Sequence, residues 1–137
     1  MPLLSLLLSL ACGSDAPPLP RTLAPCPSTP NCVSTRAPAS DPHHIEPIAV
    51  SGDPDAFLAR VRETVDAMPR TRLVDEGDDY QAWVFTTLVM RFRDDVQLEL
   101  DRDANVLHFR SASRVGRSDL GVNRRRMEAL RAALDRP

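Results

Sequence analysis

A chain of 137 residues with 42% hydrophobic content has room for one domain with a modest core. Its net charge of −2 excludes a general nucleic-acid binder, which needs a basic face. The charge is also uneven: from Arg110 onward eight arginines face Asp119, Glu128 and Asp135, giving +5 there and −7 elsewhere.

The chain opens with "LLSLLLSLAC" (Leu3 to Cys12), an apolar run of signal-peptide length that is too short to span a bilayer, with small Ala11 before Cys12. It is similar to a bacterial lipoprotein signal. Residues 1–11 are therefore expected to be a signal peptide, and Cys12 the site of lipidation, with a membrane partner reached through that anchor. Gly13 after the cysteine, in place of Asp, favours the outer membrane and its periplasmic face if the host is Gram-negative.

Residues 12–47 carry nine prolines between Pro17 and Pro47, and they read as an extended tether. Within it "CPSTPNC" places Cys26 and Cys32 close together beside prolines. In an oxidising compartment that is a disulfide. A zinc site recruiting His43 and His44 is the weaker reading, because the spacing fits no standard finger; no metal is expected.

Residues 48–137 read as a single compact α+β domain. "IEPIAV" (Ile45 to Val50) predicts an edge strand, because Pro47 cannot donate to a ladder. "DPDAFLARVRETVDAMP" then predicts a helix with Asp53 as N-cap, Pro54 at N1 and an apolar face of Phe57, Leu58, Val61, Val65 and Met68. "TRLVDEGDDYQAWVFTT" reads as strand, acidic turn at 75–79, strand. "DDVQLELD" and "VLHFRS" are alternating strands about the turn "RDAN", and Met127, Leu130 and Leu134 mark a last helix. The expected order is β-α-β-β-β-β-α: an antiparallel sheet of about five strands with both helices on one face.

Three blocks carry a resemblance: "PCPSTPNCVST" (Pro25 to Thr35), "FRDDVQLELD" (Phe92 to Asp101) and "RSASRVGRSDLGVNRRRME" (Arg110 to Glu128). Together they resemble the bacterial and plastid family called domain of unknown function 1499. The resemblance implies an envelope protein, and it brings no catalytic or ligand residues with it.

No catalytic constellation assembles from the sequence. A serine hydrolase would need His108 beside Ser111 or Ser113, yet His108 and Ser111 point to opposite faces of a strand, and no nucleophile elbow is present. Asp94 and Asp95, being adjacent, diverge in the same way. Gly116 and Gly121 lack the lysine of a phosphate loop, so no cofactor is expected. The favoured reading is a non-catalytic envelope binding or accessory module, with a shallow anion-binding patch of Arg114, Arg117 and Arg124 assisted by Ser113 and Asn123. Its partner is an anionic envelope ligand or a protein. The alternatives are an envelope hydrolase using an Asp/His/Ser cluster, and, for the arginines alone, structural pairing with the acidic clusters.

Overall fold

The computed structural model describes residues 18–136, so the expected signal peptide and Cys12 lie outside the described residues. Four strands make the frame: β3 (Thr71–Gly77), β4 (Tyr80–Thr86), β5 (Arg93–Asp101) and β6 (Val106–Ser113). Their alternating side chains fix an antiparallel register, with Trp83 opposite Val96 and Leu98 opposite Phe109. The β3–β4 ladder slips between Leu73 and Asp75, so Val74 bulges out and is exposed.

Helices α1 (Pro54–Asp66) and α2 (Val122–Leu134) cover one face of this sheet. The N-cap of α1 is Asp53, whose carboxylate accepts from the Ala56 amide at 2.9 Å, and Pro54 opens the helix. Phe57, Leu58, Val61 and Val65 from α1, and Met127, Leu130 and Leu134 from α2, pack with Trp83, Phe85, Leu98, Leu107 and Phe109 into one core. Met68 is partly buried against that core, just beyond the end of α1.

The N-terminal part departs from expectation. Cys32–Ser34 is a strand, β1, paired antiparallel with the far half of β6, and the predicted edge strand shrinks to Ile48–Ala49, β2, paired with the near half. The order is thus β-β-α-β-β-β-β-α, with the sheet running β1-β6-β5-β4-β3 and β2 beside β1 on the β6 edge. A domain boundary at residue 48 is therefore too late, since the expected tether of 12–47 supplies a strand and the buried Ile45.

The same segment closes the second face of the sheet. Tyr80, Ala82, Val84 and Gln97 point away from the helices and are nonetheless buried. Gln97 donates to the carbonyl of Pro20 at 2.9 Å, and Arg21 grips Asp75 through two hydrogen bonds of 2.9 and 2.8 Å while its guanidinium sits 5.8 Å from the Tyr80 ring. Arg21 also donates to the Glu76 carbonyl. The Cys26–Cys32 disulfide pins this cover to β1. An extended, proline-rich chain exposes its backbone carbonyls, which is what lets it lie on a sheet face and accept from buried amide side chains.

Candidate functional site

The arginine-rich segment between β6 and α2 is organised by one buried asparagine. Asn123, fully inaccessible, accepts from the Ser111 hydroxyl at 2.7 Å and donates toward the Ser113 hydroxyl and the Asp119 carboxylate at 2.9 and 2.8 Å. Arg126 donates to the same Asn123 oxygen at 2.9 Å and to Asp94 at 2.6 Å, and its guanidinium stacks 4.7 Å from the Phe85 ring. Both members of the Arg126–Asp94 pair are almost inaccessible. A buried pair held this way positions elements, and breaking it leaves a charge without compensation.

Asp119 settles what the start of α2 can bind. Gly121, with φ of 81°, lets the chain turn into the helix, and a Cβ there would meet the Arg125 guanidinium at 2.9 Å. Asp119 then accepts from the amides of Gly121 and Asn123 at 2.8 and 3.0 Å. Burial raises the Asp119 carboxyl, but the hydrogen bonds from the Asn123 side chain and from both amides outweigh it and hold the group below its ordinary range. The cap amide of Gly121 and the helix amide of Asn123 are thus taken by the Asp119 carboxylate, and the Val122 amide by the Asp119 carbonyl at 3.1 Å.

The expected anion patch is divided by these contacts. Arg114 forms a two-point pair with Asp95 at 3.0 and 2.9 Å, Arg124 donates to the carbonyls of Pro42 and His44 at 3.0 Å each, and Ser113 and Asn123 are spent on each other. Of the five residues, Arg117 alone is exposed without a hydrogen bond or ion pair among the described residues. The pairing of Arg114 with Asp95, and of Arg126 with Asp94, is the structural alternative weighed above for this stretch.

The hydrolase cluster does not form. Asp94 and Ser113 stand opposite each other on the helix side of the sheet, committed to Arg126 and Asn123, whereas His108 and Asp95 lie on the other side. His108 instead faces Thr35, which no motif or spacing marks out: Nδ1 lies 2.9 Å from the Thr35 hydroxyl, and Nε2 is 3.7 Å from Asp101. This chain of Asp, His and Thr is structural, since the buried Thr35 hydroxyl also accepts from the Phe109 amide at 3.0 Å and lies 3.3 Å from the Phe109 carbonyl. Burial, aided by Arg36, pushes His108 below its ordinary value despite the pull of Asp101.

His43 and His44 behave oppositely. Each has both ring nitrogens facing acceptors: Asp41 and the Thr29 carbonyl for His43, Glu46 and the Ala37 carbonyl for His44. Hydrogen bonding to the Thr29 carbonyl and to Asp41 raises His43, and bonding to Glu46 and the Ala37 carbonyl raises His44. With the cysteines bonded to each other and the imidazoles so engaged, the zinc alternative has no free ligands.

The end of the molecule where β4 turns into β5 carries a feature the sequence reading passed over. Leu88, Val89 and Met90 are exposed there, at 66, 82 and 66% of their surface. Beside them lies a groove of about 400 Å³ lined by Met68, Phe85, Leu88 and Val122, with Arg70 and Arg125 on it. A run of three apolar residues inside a hairpin connection was the available signal, because such turns ordinarily use Gly, Asn, Asp or Ser.

A family model described as "Protein of unknown function (DUF1499)" matches residues 22–134. The chain belongs to the DUF1499 family. Its matched region begins within the N-terminal cover and ends with α2, so it takes in both faces of the sheet as well as the buried Asn123 network. No curated protein matches the chain, and no solved structure does.

Proposed function

We propose that this DUF1499 protein is a lipid-anchored protein of the bacterial envelope that works as a non-catalytic binding module for an anionic ligand. The leader ending at Ala11-Cys12 and the Cys26–Cys32 disulfide, which belongs to an oxidising compartment, support the location. Anchoring at Cys12 would put the domain on the periplasmic face, of the outer membrane in a Gram-negative host. A partner protein in the envelope is the second kind of ligand this reading admits.

One observation carries the binding role. The Thr35–His108, Ser111–Asn123 and Asp94–Arg126 groups are tied into internal pairs, while Arg70, Arg91, Arg93 and Arg125 lie around the β4–β5 connection and Arg117 in the β6–α2 loop, with no carboxylate partner among the described residues. The anion-binding role proposed for Arg114, Arg117 and Arg124 therefore rests on Arg117 and passes from the two engaged arginines to these neighbours.

Two measurements test the reading. Membrane fractionation with mass spectrometry of the cellular protein should find a diacylglyceryl adduct at Cys12, and Cys12→Ala should release the chain. Titration with soluble inorganic polyphosphate at low and physiological salt should show binding that weakens with salt and drops in Arg117→Gln/Arg125→Gln. Equal binding by wild type and variant would reject the arginine end as the site.

A further inference from the structure

We propose that the β4–β5 hairpin tip is a membrane-contact element: Leu88, Val89 and Met90 enter the head-group region of a bilayer containing anionic lipid, and the surrounding arginines hold the lipid phosphates. This rests on the reading of that end as an anion-binding surface, and it does not depend on lipidation of Cys12.

The tip is built, not loose. The Thr87 amide donates to the Phe92 carbonyl at 2.9 Å, and the Phe92 amide donates to the Thr87 hydroxyl at 2.8 Å, closing a four-residue loop. Within it Arg91 takes a positive φ of 57°, a conformation disfavoured for a side-chain-bearing residue. The loop therefore presents three adjacent apolar side chains outward where a short polar turn would be less strained and better solvated. Phe92, at 42% exposure, widens the apolar surface at its base.

Charge selects the occupant. Arg91 and Arg93 flank the tip in sequence; Arg70 is held beside it by a 2.9 Å bond to the Thr86 carbonyl, and Arg125, bonded to the Leu120 carbonyl, lines the groove with Leu88. Elsewhere Arg21, Arg62, Arg102 and Arg131 meet carboxylates. An apolar tip inside a collar of cations that have no carboxylate partner among the described residues complements a surface that is anionic outside and apolar beneath, which is an anionic bilayer. A second copy docked tip to tip would bring two like-charged collars together, and an apolar protein groove would leave the collar without counter-charge.

The test uses the full chain with Cys12→Ser, so that no acyl group is attached, and vesicles of phosphatidylcholine alone or with about one-third phosphatidylglycerol. The Leu3 to Leu10 run is common to every variant, so differences report the tip. Flotation should show binding to the anionic vesicles that falls about tenfold or more in Leu88→Ser/Val89→Ser/Met90→Ser. Arg91→Gln/Arg93→Gln should lose about fivefold per arginine at low salt and show a shallower salt dependence. With Cys12 replaced and the disulfide intact, Val89→Cys offers a single thiol; an environment-sensitive fluorophore there should shift to the blue on anionic vesicles, and this readout holds even if the triple variant folds poorly.

Unchanged partition of a folded triple variant, or an unshifted label, overturns the proposal. So does a dimer in sedimentation that the serine substitutions abolish, which would assign the tip to a second copy. Binding of polyphosphate without binding of vesicles keeps the anion-binding module and rejects the insertion.

Discussion

The two faces of the sheet are covered by different physical means. On one, two helices bury a nearly pure apolar surface around Trp83, Leu98 and Phe109, with the Arg126–Asp94 pair and Asn123 as inclusions. On the other, an irregular strap lies on Tyr80, Ala82 and Val84 and is held by point contacts: the Gln97 amide on Pro20, Arg21 on Asp75, and a disulfide. A helical cover is stabilised by area. A strap without periodic structure buries less and depends on a few polar or covalent fastenings.

The sharpest break in that comparison comes from the inclusion on the helical side. Arg126→Ala leaves Asp94 buried without its partner and should cost about 3–5 kcal/mol in urea unfolding, whereas Arg126→Met/Asp94→Leu should recover most of the loss. If the single variant is nearly as stable as wild type, the helical face is held by apolar packing alone.

Next in size is the strap's covalent fastening. Cys26→Ser/Cys32→Ser reopens a short loop and should cost about 2 kcal/mol. Amide hydrogen exchange should then rise first in Gln97 and the strands beneath the strap, leaving α1 and α2 protected. Uniform loss of protection would mean that both covers unfold together.

The start of α2 should give a smaller effect. Asp119→Ala removes acceptors for two amides and should cost about 1 kcal/mol. Because the Asp119 carboxyl is held below its ordinary range, its contribution is present above that range and disappears as pH falls through the depressed value. The variant should therefore match wild type more closely in strong acid than at neutral pH.

The histidines give the finest distinction, through opposite signs. His43 has a raised value, so its contribution is complete below about pH 6.5 and fades as pH rises through the raised value. His108 has a lowered one, so its folded, neutral form loses ground as pH falls from about 6.5 toward the lowered value. Measured from pH 5 to 8, His43→Gln should steepen any loss on the acid side and His108→Gln should relieve it.

These contrasts also explain what the sequence could reveal. Helix α1 was legible because its N-cap, its proline and the spacing from Phe57 to Val65 all agree; strands β3 to β6 were legible because alternation survives wherever one face is apolar. The strap was not, since the contacts of Pro20 and Arg21 have no period, and β1 is only three residues long. Yet one signal was present: Tyr80, Ala82 and Val84 interleave with Trp83 and Phe85, making β4 apolar on both sides, which requires two covers. For the site, the sequence named the arginine-rich segment but could not assign partners, because pairing Arg114 with Asp95 and Arg126 with Asp94 depends on the register of β5 against β6 and on the seat of α2. The apolar hairpin tip was missed because Leu88, Val89 and Met90 follow the strand ending in "VFTT" without a Gly, Asn or Pro to mark a turn, and their exposure depends on how β4 and β5 pair.

The bulge at Val74 has a bearing on how the molecule behaves among its neighbours. A sheet that ends in a straight strand offers its free amides and carbonyls to any other extended chain, and strand addition of that kind leads to aggregation. Here the last strand on the β3 side is kinked by the bulge, carries Arg72 and Glu76 as exposed charges, and has the Glu76 carbonyl already occupied by Arg21. At the opposite margin β1 and β2 are three and two residues long, too short to template a partner. Among the described residues, both margins of the sheet thus offer little free backbone for a further strand to pair with.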